Sequence, residues 1–344
     1  MRKGKRLIAW IMAVVMLFTI CVFGGNGTAE AAATTPVAKH GRLSVKGADL
    51  VDSKENKFQL RGISTHGINW DVGSPYVNKK AFKTLRDDWG VNAIRLAMYT
   101  EEYNGYCSGG SQAKLRKLVD KGVGYATDLG MYAIIDWHIL SDGNPNKNKS
   151  QAKKFFTTMA KKYKNNKNVI YEICNEPNGC SWKEIKSYAT DIIKTIRKYD
   201  KKAVIIVGTP TWSQLGTDGT SNEVADSPIK GYKNIMYSLH FYASEWAHNE
   251  YLPAKVAYAR KKKLPIIVSE FGLSPASGDG AINKASADKW MKLLNKYNIS
   301  YFCWSLSNKN ESASLLKPST KKTSGWKSGD LSTAGKYIKK KYLA

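Results

Sequence analysis

The chain has 344 residues, 42% of them hydrophobic, and its 54 lysines and arginines outnumber its 28 aspartates and glutamates to give a formal charge of +26. That apolar content excludes a disordered or fibrous chain and is enough to build a large buried core. The surplus charge does not point to nucleic acid: the lysines are scattered (Lys153, Lys154, Lys161, Lys162, Lys261 to Lys263, Lys339 to Lys341), and no finger, basic zipper or RNA-binding sheet motif accompanies them. They read as solvated faces with some nonspecific affinity for anionic surfaces.

Residues 1–33 read as a secretory signal. Arg2, Lys3, Lys5 and Arg6 precede an apolar run from Leu7 to Phe23, and Ala29-Glu30-Ala31 and Ala31-Ala32-Ala33 both suit cleavage. An uncleaved anchor is the alternative, but the run sits at the lower length limit for spanning a membrane. Setting these residues aside removes four basic residues and one acidic residue, leaving +23. About 310 residues then remain, a length that an α/β barrel uses as one domain. The mature chain is expected to be exported, to have no membrane association and to act as a monomer. Cys107, Cys174, Cys180 and Cys303 remain in it, at spacings that match no zinc pattern; mostly free thiols are expected.

From Leu43 to Leu60 the sequence alternates around a turn at Asp52–Asn56, which predicts an N-terminal β-hairpin outside the main fold. A short apolar strand and a helical pattern then alternate eight times. The strands are predicted at Gln59–Thr65, Ala93–Tyr99, Tyr132–Leu140, Val169–Asn175, Ala203–Thr209, Ile235–Tyr242, Pro265–Phe271 and Ser300–Leu306. Helices are predicted at Lys79–Trp89, Ala113–Leu129, Lys153–Tyr163, Trp182–Tyr199, Ala254–Lys263 and Lys284–Tyr297, while the stretch from Ser213 to Lys230 is the least helical. Continuous Val/Ile/Leu runs are the signature of buried parallel strands. Eight such units predict an α/β fold of the (β/α)8 TIM-barrel class. A dinucleotide-binding fold would need a glycine-rich turn after its first strand, and there is none.

In a barrel the chemistry collects at the C-terminal strand ends. Here those ends read Thr65-His66-Gly67, Arg95 with Tyr99, Trp137-His138, Asn175-Glu176, Thr211-Trp212, His240-Phe241-Tyr242, Ser269-Glu270 and Trp304. Glu176, after an apolar strand and beside the Asn175 amide, suits a proton donor, and Glu270 supplies the second carboxyl of a pair. A lone strand histidine is usually a satisfied core residue. Three of the chain's five histidines, His66, His138 and His240, nevertheless fall at strand ends. Their spacing does not favour a metal, and hydrogen bonding to carboxylates or sugar hydroxyls is the better role. Arg95 inside a strand needs a carboxylate partner. Trp70, Trp137, Trp212 and Trp304 suit core packing or stacking on the apolar faces of pyranose rings. Two glutamates, aromatic walls and no cofactor motif point to glycoside hydrolysis.

Several stretches together carry a resemblance to a known family. They are Asn175-Glu-Pro177, Ser269-Glu-Phe-Gly272, Asp136-Trp-His-Ile-Leu-Ser141, His240-Phe-Tyr242, Arg86-Asp-Asp-Trp-Gly90, Arg95-Leu-Ala-Met-Tyr-Thr100 and Trp304-Ser-Leu-Ser-Asn-Lys309. From about His40 to the C-terminus the chain resembles the cellulases of glycoside hydrolase family 5, most closely the compact bacterial endo-β-1,4-glucanases. The resemblance implies a retaining mechanism, with Glu176 as general acid/base and Glu270 as nucleophile. Arg95 and Tyr242 would hold Glu270 ionised and aimed. Asn175 would bond the sugar 2-hydroxyl, with His240 in the same network. His66, Trp70, Tyr99, His138, Trp212, Trp304, Lys309 and Glu311 would bind the β-glucan.

No metal and no cofactor are implied. Phe271 stands where the family often has Trp, a change expected to affect packing beneath the nucleophile. No cellulose-binding module follows the domain, so soluble or amorphous glucan is expected to be a better substrate than crystalline cellulose. Mannan, xyloglucan and mixed-linkage glucan are the alternatives that share this machinery. A silent glycan-binding barrel would be expected to lack one carboxyl, and a basic adhesion protein would leave the strand-end residues to chance.

Overall fold

The computed structural model describes residues 34–344; the expected signal segment lies outside the described residues. Eight parallel strands close into a barrel: β1 Arg61–Thr65, β2 Ala93–Tyr99, β3 Tyr132–His138, β4 Val169–Glu172, β5 Ile205–Val207, β6 Ile235–Tyr242, β7 Ile266–Gly272 and β8 Tyr301–Leu306. They pair in sequence order, Ile63 opposite Ile94 between β1 and β2, and the ring shuts where Cys303 of β8 meets Ile63. Helices Lys79–Trp89, Gln112–Asp128, Lys149–Tyr163, Trp182–Arg197, Trp246–Lys261, Lys284–Lys296 and Thr333–Leu343 cover the outside. Their ends follow local chemistry. The Asn78 side chain caps the first by accepting from Ala81 N, Gly90 ends it in the left-handed region at φ 72, and Ser181 and Glu184 form a reciprocal capping box on the fourth.

Period-two alternation along the strands gives two cores. Ile94, Leu96, Ala133, Ile135 and Trp137 point outward into the helix layer, whereas Ala93, Tyr132, Ile134, Ile170, Ile206 and Phe302 fill the lower barrel. Trp137 therefore packs on Tyr106 and Phe155 (ring centroids 5.3 Å in each case) and is core, not cleft wall.

The N-terminal hairpin differs from expectation in two ways. Its strands, Ser44–Lys46 and Asp49–Val51, turn at Gly47-Ala48. The expected turn is a second bend, where Asp52 Oδ1 accepts from Lys54 N and Asn56 N at 2.9 Å each. Nor does the hairpin stand apart: Leu43, Leu50 and Phe58 pack on the lower-barrel residues and plug that mouth.

One helix boundary moved for a physical reason. The helix expected from Ala254 begins at Trp246 and runs through Pro253. Burial of Leu252, Val256 and Ala259 outweighs a proline cost of about 3 kcal/mol. The fifth connection holds only two short helices, Pro210–Ser213 and Glu223–Asp226, in keeping with its weak helical pattern. All four cysteines of the described residues are free thiols. No helix among those residues is long and apolar enough to cross a membrane.

Candidate active site

The inward positions of the middle barrel are polar. Arg95 of β2 is fully buried, and its guanidinium is shared among several partners. Nε donates to Glu172 Oε2 at 2.7 Å, Nη1 to Glu270 Oε2 at 3.0 Å and to Ser64 Oγ at 3.3 Å, and Nη2 to Asn175 Oδ1 at 2.6 Å. Nη2 also lies 3.0 Å from Asp136 Oδ2. Burial opposes this charge, but Asp136, Glu172 and Glu270 together raise the Arg95 pKa. Burial pushes Glu172 up as well and Asp136 to about 7, against the pull of Arg95.

Above this layer sit the two glutamates. Glu270 stands near the C-terminal end of β7, two residues before Gly272, where a register shift against β6 turns it inward beside Ser269. It receives Arg95 on one oxygen and the Tyr242 hydroxyl at 2.7 Å on the other. Glu176 lies past the end of β4, with Oε1 2.8 Å from His240 Nδ1. Burial raises its pKa to about 8, with Arg95 opposing and Asp136 and Glu172 adding to the rise.

The hydrogen bonds account for where that proton sits. Ser269 Oγ donates to Glu172 Oε1 at 2.6 Å, so towards His240 Nε2, 2.9 Å away, it can only accept. Nε2 then carries the hydrogen of a neutral ring, and burial lowers the His240 pKa to about 4. Nδ1 is left as an acceptor facing Glu176. One carboxyl is thus kept protonated and the other is faced by a cation and a hydroxyl.

Glu176, His240 and Glu270 bring atoms within 4.8 Å of one another, close enough to grip a metal ion. The local chemistry does not ask for one. Arg95 already supplies positive charge to Glu270, and the His240 nitrogen is engaged by Glu176.

The Asn175 amide is tied to its neighbours. It is fully buried, and both Nδ2 hydrogens are in use, on Ile139 O at 3.1 Å and His138 Nε2 at 3.2 Å. A bond to a sugar hydroxyl would have to take one of them; as placed, Asn175 ties Arg95 to His138. That contact makes His138 Nε2 an acceptor, so its proton lies on Nδ1, 2.6 Å from Asp136 Oδ2. Phe271 points away from Glu270 into the helix layer, stacking on Phe241 at 5.3 Å, so it packs outside the barrel and not beneath that carboxyl.

A cavity of about 590 Å³ opens over the glutamates, within the usual size for a ligand site. One wall is an aromatic cluster of His66, Trp70, Tyr99, His138 and Trp304, with Trp304 stacked on His138 at 5.3 Å and Trp70 tilted against Tyr99 at 4.5 Å. Across the cavity stands Trp212, 44% exposed. It sits in a backbone segment where Thr211, Trp212, Ser213 and Leu215 all have positive φ, costly for residues other than glycine.

Lys309 Nζ meets Glu311 Oε2 at 2.5 Å, while buried Glu311 Oε1 has no hydrogen-bond partner among the described residues and lies 3.6 Å from His66 Nε2. His66 Nδ1 accepts from Gly67 N at 2.8 Å, so Nε2 is the donor, and burial lowers its pKa to about 3. The lining also includes Glu102, Gln214, Glu245 and His248, which sequence reasoning missed. For the last two the signal was present in Ala243-Ser-Glu-Trp-Ala-His248, directly after the His240–Tyr242 strand end.

Residues 51–310 match the family described as Cellulase (glycosyl hydrolase family 5). The chain is 47% identical to an endoglucanase of Clostridium saccharobutylicum over 98% of its own length and 72% of that protein's. It is 44% identical to Endoglucanase 5 of Pectobacterium carotovorum subsp. carotovorum, over 94% of this chain and 62% of the relative. Among solved structures, Cellulase Cel5C_n superposes with a TM-score of 0.85 at 38% identity, covering 91% of this chain and 95% of that one. The catalytic domain of a Thermobifida fusca endoglucanase Cel5A variant in complex with cellotetraose gives 0.82 at 36% identity, covering 90% of this chain and all (100%) of that one. A closed eight-stranded barrel carrying paired glutamates at the ends of its fourth and seventh strands, matched along most of its length by these proteins, makes this chain a member of glycosyl hydrolase family 5, the cellulases.

Proposed function

We propose that the protein is an exported endo-β-1,4-glucanase that cleaves internal bonds of cellulose-type chains with retention of configuration. The observation that carries the reading is the unequal treatment of two carboxyls whose nearest oxygens lie within 4.8 Å. Retaining pairs stand about 5–5.5 Å apart, while inverting pairs leave room for a water at about 6.5–9.5 Å. Glu270, held by Arg95 and Tyr242, attacks the anomeric carbon as Glu176 gives its proton to the departing glycosidic oxygen. Glu176, now ionised, takes a proton from water, and that water displaces Glu270 from the glycosyl-enzyme.

Trp70, Tyr99 and Trp304 stack the sugar on one side of the cleavage point and Trp212 on the other. His66 Nε2 and Glu311 Oε1 offer a donor and a free acceptor to hydroxyls, alongside Lys309. The names of the relatives and the cellotetraose held by the Thermobifida fusca structure support β-glucan as the substrate. The N-terminal basic-then-apolar segment supports export.

The test is reducing-sugar release from carboxymethylcellulose, mannan and xyloglucan side by side, with the anomer of fresh product from cello-oligosaccharide followed by NMR. Carboxymethylcellulose should be the best substrate, and the first product should be the β-anomer. An α-anomer first would overturn retention, and faster release from mannan would overturn the glucan assignment.

The raised pKa of Glu176 makes a second prediction. On an unactivated oligosaccharide, kcat/KM should not fall until pH passes about 8, then drop about tenfold per pH unit as the proton donor is lost. The same shift acts on stability. Between the ordinary value of 4.5 and about 8 the folded chain holds a proton that the unfolded chain has released, so this contribution is full at low pH and lost as pH rises through 8. Glu176→Gln should therefore flatten the decline of Tm between about pH 5 and pH 8. Parallel Tm curves for the two proteins would mean that Glu176 ionises normally.

A further inference from the structure

The rim beyond Trp212 carries two rings that the glutamates and the cavity leave unused. Five large hydrophobic side chains are exposed among the described residues, and three of them lie near one another in the chain's fold order: Trp212 on the fifth strand-to-helix connection, and Trp246 and Tyr251 in the first turns of helix Trp246–Lys261. Trp246 is 68% exposed and Tyr251 39%. Their centroids are 5.8 Å apart with planes at 82°, which leaves an open corner of two apolar faces. Trp246 stands at the lip of the cavity, because Glu245 before it and His248 two residues after it both line that cavity.

The rings are fixed relative to Trp212. Helix Trp246–Lys261 carries Lys255, only 4% exposed, whose ammonium donates to the carbonyls of Gln214, at 3.1 Å, and Asp218. Gln214 lies two residues beyond Trp212 and lines the cavity. Tyr251 packs on the same loop, where a Cβ on Gly219 would come within 2.9 Å of its ring. The helix therefore clamps the positive-φ loop that presents Trp212, and the three rings form one lip.

We propose that Trp246 and Tyr251 form an outer platform for a further pyranose ring of the β-glucan chain, beyond the sugar stacked on Trp212. The proposal rests on the endoglucanase reading. Pyranose C–H faces suit aromatic faces, and a chain cut internally must leave the cavity over one rim or the other. A protein partner fits less well. Two rings that are 68% and 39% exposed offer at most about 270 Å², against the roughly 600 Å² per partner that a stable protein interface buries.

The test combines Trp246→Ala and Tyr251→Ala with the inactivating Glu270→Gln and measures retardation in gels containing hydroxyethylcellulose, so that binding is read without turnover. Retardation should weaken about three- to tenfold, the range that one aromatic stack supplies. In the active background KM should rise to the same extent on long glucan. An aryl cellobioside, too short to reach the lip, should be handled as by wild type.

Equal retardation of variant and parent overturns the platform, as does an equal loss on short and long substrates. Variants that change sedimentation but not retardation would make the lip a contact between copies of the chain and also overturn it. If the unmutated chain cleaved no β-1,4-glucan, the endoglucanase reading would fail on its own, while gel retardation would still decide the platform.

Discussion

Glu270→Gln is expected to abolish hydrolysis of polysaccharide and of activated aryl cellobioside together, because no glycosyl-enzyme can form without the carboxylate nucleophile. Glu176→Ala should fail differently. Polysaccharide turnover should fall by about 10²–10⁴, the contribution of a positioned proton donor. An aryl cellobioside with a good leaving group departs without protonation, so its first step should survive and the second should become slow. Added azide, which needs no base, should then enter the face that Glu176 has vacated and restore turnover as the β-glycosyl azide. Burst kinetics and product NMR check both steps. Azide rescue of Glu270→Gln and not of Glu176→Ala would reverse the two roles. A loss below about a hundredfold in both variants would put the chemistry elsewhere.

The residues proposed for this chemistry stood out in the sequence because barrel architecture sends strand-end residues to predictable places. Apolar runs gave β2 and β6 their full spans, Ala93–Tyr99 and Ile235–Tyr242, and whatever polar residue closed such a run had to face the cavity. What lay beneath was not legible. Glu172 was visible as one carboxyl in an apolar strand, but its partner is 77 positions away, on a guanidinium whose other partners come from β1, β3 and the ends of β4 and β7.

Periodicity along one segment cannot reveal a contact that exists only when the barrel closes. The same limit hid the full burial of Asn175. It also hid the positive φ of Thr211, Trp212, Ser213 and Leu215, since none of those residues is a glycine. Pro253 misled in the opposite sense, as a local rule that tertiary burial overrode.

The buried charge layer carries the last large effect. Arg95→Met should cost about 3–5 kcal/mol of stability, the range for stripping one partner from a buried ion pair, because Asp136, Glu172 and Glu270 lose their shared cation. Arg95→Lys should keep the fold better and still lose most activity. An ammonium has three donors, whereas the guanidinium reaches Glu172, Glu270, Ser64 and Asn175 from three nitrogens held in one plane. The pH dependence separates charge from packing. Burial already raises Glu172 and brings Asp136 to about 7, and without the cation both must rise further. In the variant these carboxyls take up protons as pH falls, and the penalty of unpaired charge shrinks with each one. The Tm gap between Arg95→Met and wild type should therefore be widest near pH 8 and narrow towards pH 5, where Asp136 is protonated. A gap that stayed constant across that range would assign the loss to the cavity left by the side chain, and the carboxylates beneath the site would then have no need of Arg95 as their counterion.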